Sequence, residues 1–198
     1  MRKRPSTWLL ITNLQSVVNN PGIETSFIPA LTNGIMFNVS WFAIVYMHSP
    51  YWAPAIAALH LACHFLTIGR GLMEAKFVLG VSLFGLVLDQ VLFSAGVFLS
   101  PQSVAFAPLW ISCLWPVLAT TMMHAFSALQ RRYILATIAG VIGGGASYMA
   151  GVRLSDVDFG SPLWGPLFIA LLWAGLFPLL LNLARLNMPT EARNDACS

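Results

Sequence analysis

In 198 residues the chain carries 58% hydrophobic and only 9% charged side chains, with a formal net charge of +3. Soluble globular domains run to about 25% charged residues, so this composition excludes a water-soluble fold and points to one membrane domain. No basic cluster is interleaved with stacking aromatics, which excludes nucleic acid as a partner.

The first 26 residues read as a cytoplasmic or interfacial segment. Their basic start, Arg2, Lys3 and Arg4, suits a signal peptide, but the stretch Trp8 to Val18 is broken by Thr12, Asn13 and Gln15, and no small-residue cleavage site follows. Translation from Met36 is the alternative reading of residues 1–35. A spanning helix needs about 20 mostly apolar residues. Six stretches supply them: Phe27 to Met47, Trp52 to Thr67, Phe77 to Phe98, Phe106 to Ala128, Tyr133 to Val152 and Pro162 to Leu183. The second is short, and the first is interrupted by Pro29, Asn33 and Asn38. The expected architecture is an all-α integral membrane bundle of six transmembrane helices over residues 27–184, followed by a cytoplasmic tail, 185–198. Charge orients it. With the N-terminus in the cytoplasm, Arg2, Lys3, Arg4, Arg70, Lys76, Arg131, Arg132, Arg185 and Arg193 fall on one side and only Arg153 on the other. The positive-inside rule therefore puts both termini in the cytoplasm of a bacterial inner membrane. Trp52, Trp110 and Trp164 fall at the opposite ends, where an aromatic belt is expected.

Three spans carry polar stripes. In the second, His60, Cys63, His64 and Thr67 recur at i, i+3, i+4 and i+7 and so share one helix face. In the third, Ser82, Gly85, Asp89 and Gly96 line up, with Gln90 beside them. In the fourth, Cys113, Thr120, Thr121 and His124 cluster on one side, and Pro116 removes a backbone donor and kinks the helix. The fifth, with Ala136, Gly140 and Gly144 and again Gly143, Ser147 and Gly151 at four-residue spacing, is read as a close-packing surface. Its GGG has no following Lys, which excludes a nucleotide. The sixth, without a strongly polar residue from Pro166 to Asn182, is expected at the lipid-facing periphery, kinked at Pro178. Cys63, Cys113 and Cys197 form no CxxC pair and read as small core residues.

Counted from the flanking basic residues at about 1.5 Å per residue, His64 lies about 9 Å deep, His124 about 10 Å, His60 about 15 Å and Asp89 about 19 Å. His64 and His124 are thus expected to meet near the cytoplasmic rim. A mid-membrane carboxylate costs at least about 2.5 to 3.5 kcal/mol, so Asp89 is expected to be protonated or paired, and His60 is the expected partner, with Gln90 or Thr120 as donors. The intramembrane set is therefore His60, His64, Asp89, Gln90, Thr120, Thr121 and His124. It supports three readings: hydrogen bonds that hold the helices together, a transition-metal site using His60, His64 and His124, or a proton path.

The stretches LDQVLFSAGVF, APLWISCLWPVLATTMMHAFSAL and GGGASYMAGVRL, with the closing Leu-rich span, resemble a family of small bacterial inner-membrane proteins known only as a domain of unknown function. The resemblance covers roughly Asn38 to Ala184. It implies no activity or catalytic residue; members resembling it are often encoded near fatty-acid-modifying enzymes, which points toward membrane-lipid chemistry. The functional expectation is accordingly a non-catalytic or accessory membrane protein supporting lipid or fatty-acyl modification, in contact with membrane lipids and with a membrane-protein partner or a second copy. The alternatives are a membrane-embedded metal-dependent enzyme using His60, His64, His124 and Asp89, and a small proton-coupled transporter.

Overall fold

The computed structural model describes residues 21–69, 71–101 and 106–187; Arg2, Lys3, Arg4, Arg70, Arg193 and Cys197 lie outside the described residues. Helix α1 (Pro21–Met47) is followed by α2 (Trp52–Thr67), α3 (Leu72–Ser94) and a two-residue strand β1 (Phe98–Leu99). Two short helices, α4 (Leu109–Ser112) and α5 (Leu114–Ala119), lead into a 3-10 turn at Ser127–Leu129. Then α6 (Tyr133–Ala139), a π turn (Gly140–Gly144) and α7 (Gly145–Leu154) form one continuous rod, before β2 (Asp158–Phe159) and α8 (Trp164–Leu186). The described fold is helical apart from these two strands, and four of its helical runs are long and apolar enough to cross a membrane: Phe27–Met47, Leu72–Ser94, Tyr133–Leu154 and Trp164–Leu186. Against the six expected spans, α2 and the Leu109–Ala119 pair are apolar but shorter.

The fourth stretch is where expectation and structure part most. A continuous helix from Phe106 to Ala128 is replaced by helix ending at Ala119 and tight turns beyond it. Two causes are local. Pro116 has no N–H for the Ser112 carbonyl, and α4 stops at Ser112. Further on, Thr120, Thr121 and Ser127 donate their hydroxyls to the carbonyls of Val117, Leu118 and His124 at 2.6–2.7 Å. Backbone bonds from Thr121 to Leu118, Met122 to Ala119, His124 to Thr121 and Ser127 to His124 follow the same i→i−3 step, the tighter 3-10 pattern. Irregular backbone survives at membrane depth only when buried in protein, and Val117, Thr120, Thr121 and Met122 are fully buried. Gln130 serves the segment from below, donating to the Met122 carbonyl at 2.8 Å.

Around this central segment the bundle encloses a buried polar cluster within its apolar core and is apolar outside. Asn33, His60, His64, Glu74, Asp89, Thr120, Thr121 and His124 are buried, whereas Ile28, Leu31, Ile35, Val39, Phe42 and Tyr46 of α1 are exposed at three- and four-residue spacing. Helix α8, expected at the periphery, instead puts a whole face inward: Ile169, Trp173, Phe177, Leu181 and Ala184 are buried against the rod. The rod admits it through its small residues. A Cβ at Gly140 would collide with the Trp173 carbonyl, and one at Gly144 with the Trp173 ring. Trp173 in turn stacks on Trp115 at 5.8 Å between ring centroids. Trp110 also departs from expectation, being buried while Trp52 and Trp164 are exposed. At that end of the bundle β1 and β2 pair antiparallel, Phe98 opposite Phe159, and Phe98 stacks on Tyr148.

Candidate metal centre

Helix α2 turns one narrow edge inward. Ala53, Ala57, His60 and His64 are its buried residues, spaced so that the two imidazoles lie parallel with ring centroids 6.4 Å apart. Cys63, expected on this edge and in the core, is exposed, as is Thr67, whose hydroxyl is taken by the Cys63 carbonyl. On α3 the buried stripe is Glu74, Phe77, Val78, Val81, Gly85, Asp89 and Leu92. The third contributor, His124, sits in the tight turns after α5.

These elements meet at Glu74. Its Oε1 accepts from His64 Nε2 at 2.9 Å and from His124 Nε2 at 2.8 Å, with all three side chains at most 3% exposed. The two imidazoles meet edge to face, 5.2 Å between centroids. One ligand atom from each residue falls within 4.8 Å of the others. Metal bonds of about 2.0–2.2 Å to N and O put neighbouring ligand atoms about 2.9 Å apart at right angles and about 3.4 Å apart in a tetrahedron. The separations therefore suit an ion as well as two charge-assisted hydrogen bonds. Behind His64, Asn33 of α1 directs Nδ2 at the imidazole Nδ1, 3.3 Å away, while its Oδ1 faces the Ala125 amide at 3.4 Å. A groove between α1 and residues 124–128 is lined by Phe27, Leu31, Ile35 and His124, while the ligand side chains beside it stay buried.

His60 and Asp89 are held elsewhere. Thr120 spends its hydroxyl hydrogen on the Val117 carbonyl, so at 3.0 Å its oxygen accepts from His60 Nε2. Ser40 then donates to His60 Nδ1 at 2.9 Å. Both ring nitrogens of His60 are thus engaged away from Glu74. The expected pairing of His60 with Asp89 does not occur: Asp89 Oδ2 accepts from Ser112 Oγ and Trp115 Nε1, both at 3.0 Å. Gln90 is not a donor to Asp89 either, since it bonds Ser94 and the Ala107 amide. Thr121 turns to the Leu118 carbonyl.

Glu74 was not among the sequence candidates. It stands between Arg70 and Lys76 and reads as loop charge, yet it falls in helical register with Phe77, Val78 and Val81, the signal that would have placed it inside. Asn33 read only as a polar interruption of the first span, and Ser40 was not singled out.

The model of the family described as "Protein of unknown function (DUF2878)" matches residues 30–179. No curated protein and no solved structure matches the chain.

Proposed function

We propose that this chain, which belongs to the DUF2878 family of proteins of unknown function, is a multi-pass membrane protein built around a divalent transition-metal centre held by His64, Glu74 and His124. The observation that carries the reading is the convergence of two imidazoles and a carboxylate, from three separate segments, within 4.8 Å in a buried interior. This donor set serves zinc and non-haem iron. Three protein ligands leave coordination positions open, the arrangement of reactive metal sites rather than closed structural ones, and a groove lies beside His124. Asn33 is the outer partner: with its amide rotated, at the loss of the 3.4 Å contact from the Ala125 N–H, its Oδ1 would accept the Nδ1 proton of a metal-bound His64. Six passes of a bacterial inner membrane, with both ends in the cytoplasm, complete the reading, supported by the nine-to-one division of Lys and Arg among the loops.

The orientation of Asn33 favours a second reading. With Nδ2 toward His64 Nδ1, the imidazole carries its proton on Nε2 and gives it to Glu74, so the triad acts as a clamp between helices, the role of a purely accessory protein. Metal content separates the two. Purified in mild detergent and offered equimolar zinc or ferrous iron, the wild type and His60→Gln should each retain about one ion per chain, and Glu74→Gln and His124→Gln less than a tenth of that. If the wild type retains none while Glu74→Gln only lowers the unfolding temperature, the clamp is the better account.

A further inference from the structure

A second interior feature stands apart from the metal centre. Between α1, α4–α5, the rod and α8 lies a cavity of about 670 Å³, within the range of single-ligand sites. It runs beside the rod from Ala139 to Val152, thirteen residues or about 20 Å, longer than the roughly 15 Å of one leaflet's hydrocarbon. None of its lining residues is charged. Its side toward the bilayer is formed by Asn38 of α1 and Ile142, Gly143 and Ala146 of the rod, all exposed, so entry is lateral.

Two details point to an occupant. Trp110, which lines the cavity and is 5% exposed, has no acceptor for its indole N–H among the described residues. A buried donor of this kind calls for a partner. Gly143 and Gly151, also on the lining, differ from Gly140 and Gly144: a Cβ at either would meet nothing within 4 Å. This second glycine stripe, read from the sequence as a packing surface, therefore adds width to the cavity.

We infer that the cavity holds one acyl chain of a membrane lipid ester, and that the Trp110 ring, whose Nε1 is covered in this structure, turns to give its indole hydrogen to the ester carbonyl while the headgroup stays outside. An ester supplies an uncharged acceptor at one end of a long apolar chain, matching a lane with one unmet donor and no charge. Trp110 is the second residue of α4, near the start of the apolar stretch Phe106 to Ala128, at the end where an interfacial position is expected from the sequence. The inference is independent of the metal.

The test is native mass spectrometry of the full chain released from maltoside micelles after titration with 1-palmitoyl-2-oleoyl-phosphatidylcholine. The wild type should keep one lipid per chain. The double variant Gly143→Leu/Gly151→Leu should keep at least tenfold less, Trp110→Phe several-fold less, and Trp52→Phe, on the exposed surface, the wild-type amount. Equal retention by wild type and double variant, or none by wild type, overturns the proposal, as does a wild-type dimer that the double variant converts to monomer, which would assign the cavity to a second copy. If the double variant does not fold, Trp110→Phe, which keeps the aromatic bulk, decides alone.

Discussion

Asp89 illustrates how a buried carboxylate is made tolerable without a cation. Its Oδ2 collects two donors, Ser112 and Trp115, and the partners outlast small changes in the acceptor. Asp89→Asn keeps an oxygen for them and should cost less than about 1 kcal/mol. Asp89→Leu strands both donors in the core and should cost about 1–3 kcal/mol for each, read from denaturant unfolding in detergent. A result in which both variants are equally damaging would mean that the charge, and not the acceptor, matters. Glu74 differs in kind, because both of its described donors are imidazoles, whose Nε2 lone pair becomes available to an ion once the ring proton sits on Nδ1. At this scale the sequence was half legible. The depth count brought His64 and His124 together, although it counted helical rise to His124 through residues that form tight turns; it could not choose partners for His60 and Asp89. Those depend on which way Thr120 and Trp115 turn, and no spacing within one helix encodes that.

At the scale of elements, the glycines of the rod divide by what faces them. Gly144 is met by the Trp173 ring and Gly85 of α3 by the Trp115 ring, so Gly144→Ala and Gly85→Ala should each destabilise the bundle by about 1–3 kcal/mol through overpacking. Gly143→Ala meets nothing and should be neutral or stabilising by up to about 1 kcal/mol, through helix propensity. Thermal unfolding of the three variants in one detergent checks the contrast; equal losses would show that both glycine stripes pack. A four-residue repeat signals that small residues are aligned, not which neighbour approaches them. For the same reason α8 read as peripheral: its apolar residues suit lipid and the rod equally well, and the choice falls to the fit of Trp173 into the rod. The tight turns after α5 were legible only in part. Pro116 announced a disturbance, but Thr120, Thr121 and Ser127 turning their hydroxyls onto i−3 carbonyls changed a kink into a different hydrogen-bond pattern.

For the whole molecule the exterior is inverted relative to a soluble protein, with Leu, Ile and Phe exposed over a core that is itself largely apolar and holds a buried cluster of His, Glu, Asp and Thr. That inversion was already present in the composition, and the membrane assignment rests on it. Sidedness is open to direct measurement. In a background with Cys63, Cys113 and Cys197 replaced by serine, a cysteine at position 72 should react with an impermeant maleimide only from the cytoplasm, and one at position 155 only from outside. Labelling of both from one face would remove the six-pass arrangement. The Glu74 centre carries a further consequence, one of timing. Glu74 lies 10 residues after His64 but 50 residues before His124, so during synthesis the carboxylate enters the membrane region long before its second imidazole exists. Closure of the centre therefore waits for the segment after α5, and ties that segment to the amino-terminal helices.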